Sequence, residues 1–444
     1  MKRTDSVARE AAILVGVLLP NRSDDSDPLD ELEGLAKTAG ARVVGRLTQR
    51  RTAPDKTTFL GSGKVQELTD LVKATDADVV IFDNNLNPAQ TRNLERATGV
   101  KVIDRTESIL DIFAGRARTH EARLAVELAQ LEYALPRLKR MWTHLSRLKM
   151  GIGMRGPGEK QLEEDRRLVE KRIHDLRGEL KEIEARKRRL VASREEHGCV
   201  SLVGYTNAGK STLLNVLTGA SEVAEDKLFA TLDTRTRRWQ LPGWGPVLLS
   251  DTVGFIRDLP HHLIASFKAT LEEARQADLL LHVADAHSSV ACEQIASVYR
   301  VLEELHIERK DTLLVLNKID RLEDRAALER LLNRYPNALP VSAKSGQGLA
   351  RLAAAVSDAL SHGFLDLDIE ASAADGRLLA YLAAHGEVLS QRYHDSRVTV
   401  HCRIPRRRLG QLAEGTVRIR PHGSPHTSAV APTEFGPSAL EDVA

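Results

Sequence analysis

The sequence predicts a multidomain α/β protein: an N-terminal parallel α/β domain, an antiparallel helical hairpin, a P-loop domain around a mostly parallel central sheet, and a small α+β C-terminal domain. Three observations carry this expectation. Short apolar runs alternate with helical patterns over the first hundred residues. From Glu121 onward, leucines recur at spacings that alternate between four and three. Near residue 200 a strand-like run leads through a glycine loop into a helical pattern.

The 444 residues are enough for three or four domains, and 42% hydrophobic with 28% charged is ordinary for a globular chain. Cys199, Cys292 and Cys402 are odd in number and widely spaced, which argues against a disulfide framework or a metal cluster and fits a reducing cytoplasm. Lys2-Arg3 ahead of Ala11–Leu19 has the outline of a secretion signal. Asp5, Arg9 and Glu10 interrupt it and no small-residue cleavage pattern follows, so a buried strand is the reading adopted. No run of about 18 apolar residues is present, so no membrane span is expected.

Residues 1–108 read as the first domain. Strands are expected at Ala12–Leu19, Arg42–Leu47, Asp78–Asp83 and Val100–Asp104, with helices at Leu29–Ala39, Lys64–Ala74 and Pro88–Ala97 between them. Gly61-Ser62-Gly63-Lys64 lacks an upstream glycine at phosphate-loop spacing, and Val65 replaces the hydroxyl residue, so it reads as a helix start. Asp83, Asn84 and Asn85 read as turn residues.

Residues 109–196 read as the hairpin. One seam is Leu124, Leu128, Leu131, Leu135, Leu138, Trp142 and Leu145, with Pro136 expected to kink it; the second is Val169, Ile173, Leu176, Leu180, Ile183 and Leu190. Between them, residues 150–161 form a glycine-rich loop. Its G-x-G-x-x-G match follows a basic helix rather than a strand, which argues against a dinucleotide turn. From Arg137 to Lys160 the net charge is +6, against +2 for the whole chain. Such segregation suits a polyanion such as RNA, although a solvated basic face would look the same.

Residues 197–362 carry the chemistry. Gly204-Tyr205-Thr206-Asn207-Ala208-Gly209-Lys210-Ser211 is a complete phosphate loop: glycines let backbone N–H groups face a polyphosphate, Lys210 supplies a charge and Ser211 a hydroxyl for Mg²⁺. Asp251-Thr252-Val253-Gly254 ends an apolar strand, placing Asp251 near the metal shell and the Gly254 N–H where it can sense a γ-phosphate. Asn317-Lys318-Ile319-Asp320 offers a carboxylate to the N1 and N2 groups of guanine, a donor pair adenine lacks. Ser342-Ala343-Lys344 can cover the base edge. In this order, each after an apolar strand, the motifs indicate a guanine-nucleotide site that takes GTP and GDP. Lys210 and Gly254 are the groups expected to act on the reacting phosphate.

Residues 363–422 read as the α+β appendix, with a helix at Leu378–Gly386, a strand at Arg397–Arg403, a further helix at Arg406–Glu414 and a strand at Val417–Ile419. Arg403, Arg406, Arg407 and Arg408 make a basic cluster. Residues 423–444, rich in Pro, Ser, Thr, Gly and His, read as a disordered tail.

The string G-I-G-M-R-G-P-G-E-K-Q-L from Gly151, with Val102-Ile103-Asp104-Arg105, Arg116–Glu121, Leu124–Glu132 and the phosphate loop, closely resembles the HflX family of ribosome-associated GTPases. Lys160 stands where many members have Thr. The resemblance implies nucleotide-dependent binding to the large ribosomal subunit and its RNA, with splitting or rescue of stalled ribosomes under stress, by a cytoplasmic protein read as a monomer. It also marks Phe229-Ala230-Thr231-Leu232-Asp233 as the first switch, with Thr231 a catalytic group and a second Mg²⁺ ligand beside Ser211.

After D-x-x-G stands Phe255, where signalling GTPases place the Gln that orients water. Slow intrinsic hydrolysis is expected, with a partner or other groups supplying the orientation. Asn207 can serve a K⁺ ion or be a helix-entry polar residue, while His261 and His262 read as exposed loop residues. Two other functions stay open: a GTP-timed ribosome assembly or RNA-binding factor, and an ATP-driven RNA remodeller with a second nucleotide site in the N-terminal domain.

Overall fold

A computed structural model of the chain describes residues 10–20, 27–141, 157–192, 198–220, 228–229, 234–242, 244–257, 273–304, 307, 312–322, 324–405 and 417–422. It divides into two compact units, 1–360 and 361–444.

The first unit opens with a fully parallel sheet in the order β2-β1-β3-β4, formed by β1 (Ala11–Leu18), β2 (Arg42–Arg50), β3 (Val79–Phe82) and β4 (Lys101–Ile103). The strand period of two splits β1 between two cores. Ala12 and Leu14 pack with α1 (Asp30–Ala39) and α4 (Arg105–Arg116), while Ile13, Val15 and Val17 pack with α2 (Ser62–Thr75) and α3 (Pro88–Thr98). Because β1 is buried on both faces it reads as a continuous apolar run, and the signal-like segment is a central strand. The α3 helix starts with a capping box between Asn87 and Gln90, Pro88 following the cap. The α4 helix, absent from the expected elements, is capped by Asp104 and buries Ile109, Leu110, Ile112 and Phe113.

The hairpin follows as α5 (His120–Met141) and α6 (Pro157–Ala192). Leu124, Leu128, Ile173 and Leu176 form its core, joined by Leu131, Leu135, Val169, Leu180 and Ile183. Glu127 pairs with Arg172 at 2.8 Å and Glu132 with Arg177 at 2.7 Å. With Leu128 at a and Leu131 at d, these are g–g′ and e–e′ pairs, the pattern of antiparallel helices. The α5 helix continues through the exposed Pro136. Trp142, Leu145 and the glycines at 151, 153 and 156 lie outside the described residues.

A six-stranded sheet in the order β10-β9-β8-β5-β7-β6 comes next. Its strands are β5 (Cys199–Gly204), β6 (Arg235–Leu241), β7 (Gly245–Asp251), β8 (Leu279–Asp285), β9 (Thr312–Asn317) and β10 (Leu339–Pro340). All neighbours are parallel except the β6–β7 hairpin. Helices α7 (Lys210–Thr218), α8 (Ala291–Glu304), α9 (Arg325–Arg334) and α10 (Leu349–Gly363) accompany it.

The second unit is an antiparallel sheet in the order β12-β13-β11-β14 with one helix. It comprises β11 (Phe364–Ser372), α11 (Gly376–His385), β12 (Glu387–His394), β13 (Arg397–Pro405) and β14 (Arg418–Pro421). Leu367, Ile369, Leu382, Val400 and Cys402 fill its core. Strands β11 and β12 fall outside the expected elements, although β11 carries the acid–apolar alternation of a half-buried strand; β12 is a polar edge strand with a register shift. The helix expected at 406–414 and the tail at 423–444 lie outside the described residues.

Candidate functional site

Strand β5 lies at the centre of its sheet, between β7 and β8, and delivers the chain to a loop at the carboxyl ends of the strands, where open α/β sheets place their ligands. Two glycines shape that loop. Gly204 has φ 150°, and a Cβ there would lie 2.1 Å from the Val283 carbonyl oxygen; at Gly209, φ 91°, it would lie 2.3 Å from Asn317 Nδ2. No side chain fits either place, so the loop closes tightly and its N–H groups lead into the N-terminus of α7.

Lys210 is buried, and its Nζ donates to the carbonyls of Gly204 (3.1 Å) and Tyr205 (2.9 Å). Burial lowers its pKa to about 8, with Asp251 acting in the opposite direction. Ser211 Oγ donates to Asp251 Oδ2 at 2.6 Å. A hydroxyl and a carboxylate meeting at a helix N-terminus are hard oxygen donors, a set that suits Mg²⁺. The buried Thr206 Oγ1 has no hydrogen-bond partner among the described residues. The residues present therefore fit a polyphosphate with its metal.

The strand-end Asp251-Thr252-Val253-Gly254 closes on this loop. Thr252 Oγ1 donates to the Leu202 carbonyl at 2.7 Å, and Val253 is buried. A Cβ on Gly254 would lie 2.9 Å from Thr206 Cα and 3.1 Å from Lys210 Nζ, so its backbone is placed beside the lysine ammonium. Phe255 N–H donates to the Gly204 carbonyl at 3.0 Å, and Thr206 N–H donates to the Phe255 carbonyl at 2.7 Å. The Phe255 ring is 3% exposed, packed into the core.

At the other end of the loop, Asn317 Nδ2 donates to the Ala208 carbonyl at 2.9 Å while its Oδ1 accepts the Ala343 N–H at 3.0 Å. One buried amide thus ties three motifs together. Lys318 adopts φ 64° and its Nζ lies 2.8 Å from Asp285 Oδ2. Asp320 is exposed, and Ser342 Oγ donates to it at 2.6 Å. That hydrogen bond is the main reason its carboxyl sits below the usual range. An ionised acceptor is what guanine N1–H and N2–H would need.

Of the stretch expected to be the first switch, Ala230, Thr231, Leu232 and Asp233 lie outside the described residues, as do His261 and His262. Phe229 has φ 54° and is 1% exposed, its ring edge-on to Phe113 of α4 with centroids 4.6 Å apart. Leu228 N–H donates to Thr38 Oγ1 of α1 at 3.3 Å. Residues 228–229 are thus moored to α1 and α4 by a hydrogen bond and apolar packing. That is the contribution visible for the Phe229 side chain.

Beside the loop lies a group of charges that no sequence pattern marks, with Arg105 and Asp83 buried and Glu31 and Arg257 partly exposed. Arg105, 1% exposed, donates from Nη1 to Asp83 at 2.8 Å and from Nη2 to Glu31 at 2.6 Å and to the Arg257 carbonyl at 3.1 Å. Tyr205 hydroxyl donates to Glu31 and accepts the Arg257 N–H at 2.7 Å. The Arg257 guanidinium reaches Asp83 at 3.1 Å. Burial alone would raise the Glu31 pKa, but Arg105 and Arg257 hold it below the usual range. Burial pushes the Tyr205 phenol well above its ordinary value, with Glu31 adding to the rise, so it remains a neutral donor. Behind the lysine, His282 is buried and burial lowers its pKa to about 3, keeping it neutral.

Three family models match the chain in succession: GTP-binding GTPase N-terminal over residues 26–114, GTP-binding GTPase middle region over 116–194, and 50S ribosome-binding GTPase over 199–318. The chain is 49% identical to GTPase HflX of Escherichia coli K12 across 84% of this chain and 88% of that one. It is 45% identical to GTPase HflX of Magnetococcus marinus across 91% and 95%. It is also similar, at 24% identity and TM-score 0.42 over 80% of this chain and 99% of the other, to the crystal structure of a GTP-binding protein from the archaeon Sulfolobus solfataricus in complex with GDP. With 49% and 45% identity to two GTPase HflX proteins along most of its length, and a phosphate loop, D-x-x-G and N-K-x-D joined at one sheet edge, the chain belongs to the GTPase HflX family and is a P-loop hydrolase of GTP.

Proposed function

We propose that this GTPase is a slow switch that the large ribosomal subunit accelerates, and that GTP-dependent docking lets it split or rescue stalled ribosomes in the cytoplasm. The burial of Phe255 carries the reading. Its ring is in the core and its backbone is bridged to the phosphate loop, so the residue after D-x-x-G offers no polar side chain to a water. Hydrolysis then waits for orientation from outside. Charge and geometry supplied by a partner are worth about 10³ to 10⁵ in rate in related switches.

The polyanion partner is supported by the net charge of +6 between Arg137 and Lys160 and by the ribosome-binding description of the family model over 199–318. In this reading Lys210 and the loop N–H groups would hold the β- and γ-phosphates, Ser211 and Thr231 would hold Mg²⁺ with Asp251 bonded to Ser211, and the Gly254 N–H would sense the γ-phosphate. Phe229 to Asp233 then form the first switch. Asn317, Lys318, Asp320, Ser342 and Ala343 frame the base, and Asn207 is the group that would face a K⁺ ion.

The test is GTP turnover with and without purified large subunits, using Lys210→Ala as the blank. Stimulation of at least a hundredfold that weakens as salt rises is expected, since phosphate contacts release counterions. Turnover that is already fast without subunits, or that subunits leave unchanged, would remove the proposal.

A further inference from the structure

The outer face of the C-terminal sheet brings two imidazoles and two carboxylates from three strands to one place. In β11, Leu367 and Ile369 point into the core, which turns Asp366, Asp368 and Glu370 outward. Asp368 stands directly opposite His401 of β13, so both side chains emerge on that face. His422 follows β14, and its N–H donates to the Asp366 carbonyl at 2.9 Å, extending the ladder by one residue. The His401 and His422 rings stack with centroids 3.5 Å apart and 10° between planes, so one ring has to turn out of the stack before both can point a lone pair at one ion. Cys402 points to the opposite, buried side and takes no part.

We propose that Asp368, His401 and His422 form a binding site for a divalent transition-metal ion of the zinc class. One ligand atom from each of the three lies within 4.8 Å of the others. His422 Nδ1 is 3.0 and 3.1 Å from the Asp368 oxygens. That is hydrogen-bond spacing, close enough for both atoms to become neighbours in a coordination shell whose bonds are about 2.0–2.2 Å long. His401 Nε2 lies 2.6 Å from Asp366 Oδ1. A carboxylate on the far nitrogen is how ligating histidines are oriented: with the proton held at Nε2, the Nδ1 lone pair is left for the ion. Two imidazoles with one carboxylate select zinc, cobalt or nickel over magnesium, which prefers oxygen alone.

The opposing feature is positive charge on the same face. Arg403 Nε lies 3.7 Å from Asp366, Arg420 stands opposite Asp368, and Arg397 and Arg418 flank Glu370. They already neutralise part of the carboxylate charge and so limit affinity. An ion there would tie the four-residue β14 to β11 and β13, giving that short strand a fastening its backbone bonds alone do not provide.

The test uses the full chain with its nucleotide site filled by Mg²⁺ and GDP, titrated with Co²⁺ and followed by visible absorption. One equivalent per chain, displaced by Zn²⁺, is expected. His401→Gln and His422→Gln should each weaken Co²⁺ binding at least tenfold, and Asp366→Asn by about tenfold through the orientation of His401. All three variants should keep the parental GTP turnover, which verifies folding. Co²⁺ binding that is undetectable, or equally tight in His422→Gln, would overturn the site and leave only cross-strand imidazole–carboxylate pairs.

Discussion

The phosphate loop and the junction around Arg105 share Tyr205, yet they satisfy buried polarity in opposite ways. The loop relies on backbone: Gly204 and Gly209 let amides converge, and its one charged side chain rests on carbonyls. The junction relies on full charges, with Glu31, Asp83 and Arg105 closed on one another among apolar neighbours. In the loop the buried ammonium is held by the carbonyls of Gly204 and Tyr205 and needs no carboxylate of its own. An ion cluster tolerates losing a member poorly where it is buried: without Arg105, Asp83 would keep only Arg257, whereas the partly exposed Glu31 can turn to water.

The largest expected effect lies in the junction. Arg105→Met should lower the stability of the first unit by about 3–5 kcal/mol, towards the lower end because Arg257 still reaches Asp83. A urea midpoint that does not move would break the comparison, for it would mean the charges are solvated. Next comes the lysine. In the free chain Lys210 titrates near 8, and phosphate oxygens would draw its proton back. Its folded pKa is lowered, so it is charged below pH 8 and neutral above. Nucleotide binding should then take up a proton above pH 8, and GDP affinity should fall about tenfold from pH 7 to pH 9. Calorimetry in buffers of different ionisation enthalpy reads this directly, and an absence of proton uptake at pH 9 would count against it.

The smallest effect tests the shared residue. Tyr205→Phe removes a hydroxyl that donates to Glu31 and accepts from Arg257 N–H, a loss of about 1 kcal/mol. GDP binding should change less than twofold, because the loop amides do not depend on that hydroxyl. A large loss of nucleotide affinity would show that the junction shapes the loop after all.

What the sequence displayed follows from the same contrast. The phosphate loop, D-x-x-G and N-K-x-D are local strings, because a backbone cradle is made by consecutive residues. The seam of α5 and α6 was likewise readable from spacing. Asp83 read as a turn residue and Arg105 as part of a family string, because their partnership joins positions 22 apart, and that of Arg105 with Glu31 joins positions 74 apart. Nothing periodic marks such a pair. The α4 helix was passed over for a related reason: it buries Arg105, Thr106 and Ser108 along with its apolar face, which blurs the helical period. In β11 the acids on the outer face have their meaning only beside His401 and His422, which arrive from other strands.

The length of α6 sets a mechanical scale. Its 36 residues make a rod of about 54 Å, whose last residue, Ala192, precedes β5 and the phosphate loop by a short stretch of chain. Pinned to α5 near its middle by Arg172 and Arg177, the rod would carry its Pro157 end about 2 Å for a tilt of roughly 5° about that point.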